Sequence, residues 1–150
     1  MVISNLNIKL LEDRLRAVNE TLMRLKKLGA LSEEDFFKGD NPAAAESYLR
    51  RSLEAIFDIG RHILAKVAGK GIVEYKEIAR ELGIKGVITQ DLANRLITMA
   101  GYRNRLVHFY HTVTDRELYD IVKGNLGDVE DYIREIKGFL ENYRRRLKDE

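Results

Sequence analysis

An arginine, an amide and an imidazole lie within six residues of each other in the stretch RNRLVHFY, residues 103–110. A guanidinium binds phosphate oxygens through a planar fork of N–H donors, and an imidazole takes up and releases protons near neutral pH. No other stretch of the sequence gathers the same three groups. It therefore predicts a site for phosphodiester chemistry, with Arg103 and His108 as catalytic residues. Asn104 is expected to bind the phosphate or to orient His108.

The spacing of these residues does not fit one face of a straight helix. At about 100° per residue, Asn104 and His108 share a face because they are four apart, whereas Arg103 and His108 would point about 140° away from each other. Either the helix unwinds near His108, or residues of two chains build one site. We take the misfit to favour a homodimer, joined across the third and last helices. On a continuing helix Tyr110 would return to within about 20° of the Arg103 direction, beside the phosphate site.

The elements that must position this stretch are helical. Apolar residues recur every three or four positions along the first helix and predict one buried stripe, formed by Leu11, Leu15, Val18, Leu22 and Leu25. Gly29 is expected to end that helix in a left-handed cap. Ser32 to Phe37 are expected to form one helical turn. Asn41 and Pro42 are expected to be the N-cap and the first residue of the second long helix, which stops at residues 69–71.

The remaining helices are predicted from capping residues and glycines. A short helix is expected over residues 74–82, stopped by Gly83, and a third long helix is expected to be capped by Thr89. A last helical region begins with capping-box spacing at Thr114 and Glu117. It is expected to break around Gly124 and Asn125 and to end near Leu147. No segment shows sustained strand alternation, and no linker interrupts the chain. The sequence therefore predicts an all-α antiparallel up-and-down bundle of four to five helices, in a single domain over residues 1–150.

Other candidate functional residues have plainer explanations. His62 has no second metal ligand three or four residues away, and His111 lies outside the chemical pattern of the stretch, so we expect neither to be catalytic. The run 144–146, three arginines, is typical of a solvated helix end that complements the helix dipole, and contact with RNA is the alternative. Glu54 and Asp58 share one face of the second helix. They could orient a basic site residue across the bundle, although structural pairing is the simpler interpretation.

Composition excludes several classes of protein. The chain has 150 residues, 33% of them charged and 45% hydrophobic, with one proline and no cysteine. Without cysteine there are no disulfides and no thiolate metal sites, and no metal or cofactor site is predicted. No apolar run approaches the about 18 residues of a membrane span, so a cytoplasmic location is expected. A net charge of +2 is too small to indicate nucleic-acid binding by itself.

The order Arg, four residues, His, one residue, Tyr resembles the signature of the HEPN ribonucleases, and of the HepT toxins in particular. Arg103, His108 and Tyr110 take those places. In that family a polar residue, often Asn, follows the arginine and aliphatic residues precede the histidine, and Asn104 and residues 106–107 agree. The resemblance extends over residues 5–145, through three further segments: 39–42, 48–59 and 75–102. One departure is Phe109, where a small or polar residue is more usual.

The resemblance implies a metal-independent endoribonuclease toxin of a type VII toxin–antitoxin pair. In such a reaction a base removes the proton of a ribose 2′-OH, and the 2′-oxygen attacks the adjacent phosphorus. The 5′-oxygen is expelled, and the RNA end that remains is a 2′,3′-cyclic phosphate. DNA, which lacks the 2′-OH, should not be cut. The resemblance also implies a partner, a minimal nucleotidyltransferase antitoxin that adenylylates the tyrosine of the signature, here Tyr110. The added AMP would block the RNA phosphate by its charge and bulk.

A second class of function uses the same residues without catalysis. In that interpretation the chain is a helical dimer that binds a nucleotide or scaffolds a partner nucleotidyltransferase, and Arg103 and His108 only bind phosphate. A cleavage assay separates the two classes, because only the enzyme produces shortened RNA.

Overall fold

The computed structural model describes residues 6–108 and 113–149, and these residues form helices and connecting turns without a strand. The helices are α1 (Ile8–Gly29), α2 (Glu33–Phe36), α3 (Asn41–Val67), α4 (Tyr75–Ile84), α5 (Gln90–Val107), α6 (Asp115–Gly124) and α7 (Gly127–Asp149). The predicted all-α bundle is confirmed, with α1, α3, α5 and α7 as its long helices and three short helices between them. Tyr110 and His111 lie outside the described residues.

The core begins with the predicted stripe of α1. All five of its apolar residues are buried, and α1 packs chiefly against α3. The Asn7 side chain caps α1 by accepting a hydrogen bond from the backbone N–H of Leu10, at 3.1 Å. On α7, Tyr132 is fully buried, and its hydroxyl donates a hydrogen bond to the carbonyl oxygen of Ile56 at 2.7 Å. The buried side chains of the described residues thus join the long helices in one hydrophobic cluster.

The prediction that Gly29 forms a left-handed cap is wrong. Gly29 is the last residue of α1, and the cap is Ala30, with φ −80°. A Cβ atom built on Gly29 would lie 2.3 Å from the carbonyl oxygen of Val122, on α6. The sequence therefore has glycine here because the backbones of α1 and α6 touch, and not because the chain needs a positive φ.

Two other helix ends differ from the prediction by one or two residues. Asp40, and not Asn41, is the N-cap of α3, because the Asn41 side chain donates instead to the carbonyl oxygen of Asp35 at 3.0 Å. Pro42 is accordingly the second helical residue. Helix α4 continues past Gly83 to Ile84, and the positive φ of 72° falls on Gly86. The predicted stop at residues 69–71 is confirmed, with φ 64° at Gly69.

The predicted caps of the later helices are confirmed. Thr89 accepts a hydrogen bond from the backbone N–H of Leu92, and Thr114 accepts one from Glu117 at 3.1 Å. The predicted break around Gly124 is the boundary between α6 and α7. Among the described residues, no helix combines the length and the apolar character that crossing a membrane requires.

Candidate active site

Helix α5 ends at Val107, one residue before the histidine of the stretch. His108 adopts an extended conformation, with φ −85° and ψ 126°, while its backbone N–H still donates to the carbonyl oxygen of Asn104 at 3.0 Å. Of the two explanations for the angular misfit, the structure shows the first, in which the helix unwinds at His108. One chain can therefore turn Arg103 and His108 toward one place, and the misfit is no longer an argument for a dimer. The helix does not continue past Val107, and Tyr110, which was expected to follow on it, lies outside the described residues.

Arg103, Asn104 and His108 line one cavity of about 420 Å³. Its other walls come from α3, from the turn after α3 and from the start of α4, and their lining residues are Arg61, Val73, Glu74 and Tyr75. The volume falls within the range of about 300–1,000 Å³ that is usual for ligand pockets. Arg103, Asn104 and His108 were predicted from the sequence as residues of one site. The other four lining residues, Arg61, Val73, Glu74 and Tyr75, were not predicted to belong to it.

Arg103 is held by an aromatic ring. Its guanidinium carbon lies 3.9 Å from the centroid of the Tyr75 ring, which itself packs against Phe57 with 4.9 Å between ring centroids. Nη1 donates a long hydrogen bond of 3.4 Å to the side-chain oxygen of Asn104, and the buried Nε has no partner among the described residues. Within residues 6–108 and 113–149 no carboxylate forms an ion pair with Arg103. Because a ring face orients the cation without neutralising it, the guanidinium can bind an anion in the cavity.

Arg61 reaches the same cavity from α3. Its Nε donates to the carbonyl oxygen of Ile72 at 3.2 Å, and its Nη2 donates to that of Val73 at 3.4 Å. Its guanidinium carbon lies 5.5 Å from the centroid of the Tyr75 ring, so both arginines flank one tyrosine. Glu74 is the carboxylate of the lining, and its two oxygens accept hydrogen bonds from the backbone N–H groups of Lys76 and Glu77, in the first turn of α4. The lining therefore has two guanidinium groups, those of Arg61 and Arg103, and one carboxylate, that of Glu74, so positive charge is in excess.

Asp58 has the structural role that the sequence favoured. It forms an ion pair with Arg14 of α1 across the bundle, which is a structural pairing. Its other carboxylate oxygen lies 3.8 Å from Nη1 of Arg61, so it also faces a basic residue of the cavity. Burial lowers the pKa of the neighbouring His62 below its ordinary value of 6.5, and the positive charges of Arg14 and Lys66 lower it further, while Asp58 opposes them. His62 is not among the described residues that line the cavity.

An ion pair joins the two helices that precede and follow residues 109–112. Arg105, in the last turn of α5, donates from Nη2 to Oε1 of Glu117 at 2.8 Å, and its Nη1 bonds the second carboxylate oxygen. The hydrogen bonds to Glu117 raise the pKa of Arg105 above its ordinary value. Glu117 thus ties the start of α6 to the end of α5.

Arg144 forms an ion pair outside the cavity, and the described residues offer no metal site. Arg144 pairs with Glu12 of α1 at 2.6 Å, in agreement with a structural role for the first arginine of the run 144–146. Among the residues that the structure describes, no group of three or more histidine, aspartate or glutamate side chains is placed to hold a metal ion.

Comparison with known proteins gives consistent matches over most of the chain. The family model described as ribonuclease HepT-like matches residues 18–136. A curated relative named tRNA nuclease HepT, from Aphanizomenon flos-aquae (strain 2012/KM1/D3), is 29% identical over 139 residues, which are 91% of this chain and 94% of that protein.

Solved structures show the same fold. YutE of Bacillus subtilis, described as a cytosolic protein of unknown function, superposes with a TM-score of 0.79 at 21% identity, over 92% of this chain and 93% of its own. The tri-AMPylated HEPN toxin of Shewanella oneidensis, solved in complex with an MNT antitoxin, superposes with a TM-score of 0.77 at 23% identity, over 85% of this chain and 96% of its own.

Proposed function

Because the chain belongs to the HepT-like ribonuclease family, we propose that it is the endoribonuclease toxin of a type VII toxin–antitoxin pair and that it cleaves tRNA. The choice of tRNA follows the relative named tRNA nuclease HepT, which matches along nearly its whole length. A tRNA nuclease would act in the cytoplasm, where its substrate is found.

The carrying observation is the end of α5 at Val107, which brings Arg103, Asn104 and His108 to one cavity. In the proposed reaction His108 acts in proton transfer. The 2′-OH loses its proton, its oxygen bonds to phosphorus, the bond from phosphorus to the 5′-oxygen breaks, and that oxygen leaves with a proton. The products are a 2′,3′-cyclic phosphate and a 5′-hydroxyl. Arg103 stabilises the negative charge that builds up on the phosphoryl oxygens, and Asn104 binds the phosphate or orients His108.

The test is incubation of the purified protein with tRNA in EDTA, followed by analysis of the new RNA ends. Cleavage with cyclic phosphate ends is expected, and DNA of the same sequence should stay intact. Arg103→Ala and His108→Ala should each lower the rate at least about 10²-fold, near the low end of the contribution of general acid–base catalysis. Arg134→Ala, at an exposed arginine of α7, is the matched control. A parent protein that cuts only with added metal, or a His108→Ala variant of full activity, contradicts the mechanism.

The proposed regulation is adenylylation of Tyr110 by a nucleotidyltransferase antitoxin. It is supported by the resemblance of the stretch and by the Shewanella oneidensis relative, whose toxin is tri-AMPylated in its complex with an MNT antitoxin. The modification would fall two residues after His108, which lines the cavity. AMP attached there would add negative charge beside a cavity that should receive a phosphate.

The proposed assembly is a homodimer across α5 and α7. It is supported by exposed apolar side chains at the ends of both helices, Val107 and Leu147. Sedimentation should give twice the 17.3 kDa of the chain. A monomer with intact nuclease activity at micromolar concentration would exclude this assembly as a requirement for function.

A further inference from the structure

The second arginine of the cavity has unused binding capacity. A guanidinium carries five N–H donors, and Arg61 uses two of them on the carbonyl oxygens of Ile72 and Val73. Its Nη1 is 3.8 Å from Asp58, which is beyond hydrogen-bond distance. Three N–H groups of Arg61 therefore have no acceptor among the described residues.

The charge of Arg61 is only partly compensated. Asp58 is the one carboxylate within 4 Å of its guanidinium in the described part of the chain, and that carboxylate also forms a shorter ion pair with Arg14. One negative charge thus serves two guanidinium groups. The side chain of Arg61 is 35% exposed, so a ligand in the cavity can reach it.

We propose that Arg61 is a second phosphate-binding residue, which holds the RNA phosphate next to the one that is cleaved. The inference rests on the proposed ribonuclease function. Arg61 and Arg103 stand at one tyrosine ring, at 5.5 and 3.9 Å from its centroid, and line one cavity. Because RNA carries a phosphate at every nucleotide, two neighbouring cations in one cavity suit two successive phosphates. Among the described residues His108 is the one histidine that lines the cavity, so we place the reacting phosphate at Arg103 and His108 and the phosphate that is only bound at Arg61.

A purely structural role for Arg61 is the competing explanation. Its two bonds to backbone carbonyls hold the turn that leads from α3 to Tyr75, so its loss could disturb the cavity without any contact to RNA. Salt dependence separates the two roles, because each phosphate neutralised on single-stranded nucleic acid contributes about 0.7 to the slope of log affinity against log salt concentration. A structural change leaves that count of ion contacts as it was.

The experiment measures binding of a fluorescent single-stranded RNA at several salt concentrations in the His108→Ala background, where the RNA stays intact. Arg61→Gln should weaken binding about tenfold and lower the salt slope by about 0.7, as expected for one lost phosphate contact. Arg61→Lys should restore the slope, because it restores the charge, with only part of the affinity. Arg134→Gln removes an exposed arginine on α7 that pairs with Asp131, and it should change neither quantity.

Kinetics of tRNA cleavage give the second measurement, with active His108. Arg61→Gln should raise KM about tenfold and leave kcat within about twofold, because binding outside the reacting phosphate is lost equally from the ground and transition states. Arg103→Ala should instead lower kcat. If the parent cuts tRNA and Arg61→Gln keeps its KM and its salt slope, the inference is wrong and the proposed function stands. If Arg61→Gln lowers kcat with an unchanged slope, Arg61 only positions the turn. If the parent neither binds nor cuts RNA, both proposals are wrong.

Discussion

Tyr75 is the residue through which the structure holds Arg103, and it offers the sharpest test of how the cavity is organised. The ring of Tyr75 lies against the Arg103 guanidinium, and no carboxylate of the described residues forms an ion pair with Arg103. Tyr75→Leu removes the ring and keeps an apolar side chain of moderate size. Tyr75→Phe keeps the ring and removes only the hydroxyl. Their comparison isolates the effect of the aromatic face.

The expected loss follows from the environment of the stack. A cation–π contact is worth about 0.5–1 kcal/mol at an exposed position and about 2 kcal/mol when it is desolvated. Nε of Arg103 is buried, which places this contact in the upper half of the range, at about 1–2 kcal/mol. If that energy orients Arg103 in the transition state, Tyr75→Leu should lower kcat/KM for tRNA cleavage about 5- to 30-fold, since about 1.4 kcal/mol corresponds to a factor of ten. Tyr75→Phe should stay within about threefold of the parent, because the face of the ring is unchanged.

A matched control exists on the same protein. Tyr48, on α3, also has two arginines over its ring, Arg24 at 5.6 Å and Arg51 at 5.0 Å, but it does not line the cavity. Tyr48→Leu should therefore leave kcat/KM unchanged. Circular dichroism and urea unfolding on all variants confirm that they are folded. The reasoning is refuted if Tyr75→Leu is folded and as active as the parent, or if Tyr75→Phe loses as much activity as Tyr75→Leu.

Three further predictions concern regulation, pH and packing. Tyr110→Phe should keep the cleavage activity and resist the co-expressed nucleotidyltransferase, with mass spectrometry showing AMP on the parent and none on the variant. Because the pKa of His62 is lowered below 6.5 on folding, the unfolded chain binds that proton more tightly. Stability should fall as pH drops from 6.5 through the lower folded pKa, and the urea midpoints of His62→Gln should show a weaker fall. Gly29→Ala should lower the free energy of unfolding by more than about 2 kcal/mol through its clash with Val122, whereas Gly138→Ala, in open space on α7, should raise it by about 0.5–1 kcal/mol.

The sequence predicted those parts of the fold that depend on neighbouring residues. The stripe from Leu11 to Leu25 and the caps at Thr89 and Thr114 follow from helical periodicity and from hydrogen bonds over three residues, so each could be predicted locally. The errors at Gly29 and Gly83 have a different origin. Both glycines are helical, and both allow close packing, against Val122 and against the side chain of Ala93. A glycine that serves a tertiary contact has the same local sequence signal as one that ends a helix.

The candidate site, like the fold, was predicted only where its residues are close together in the sequence. Arg103, Asn104 and His108 could be found because they lie within six residues. The sequence did not decide whether the helix unwinds near His108 or residues of two chains build the site. No glycine or proline marks Val107, and the extended conformation of His108 is one that any residue can adopt.

Arg61 could not be assigned to the site from the sequence, because 42 positions separate it from Arg103 and only the packing of α3, α4 and α5 closes that distance. One local signal did point toward it. Asp58 was recognised as a carboxylate that could orient a basic site residue, and a residue three positions further on lies on the same face of a helix. That basic residue was expected across the bundle, where Asp58 pairs with Arg14, whereas Arg61 lies on the same helix as Asp58. A carboxylate that serves two arginines fully neutralises neither, and that shared charge leaves Arg61 able to bind a phosphate in the cavity.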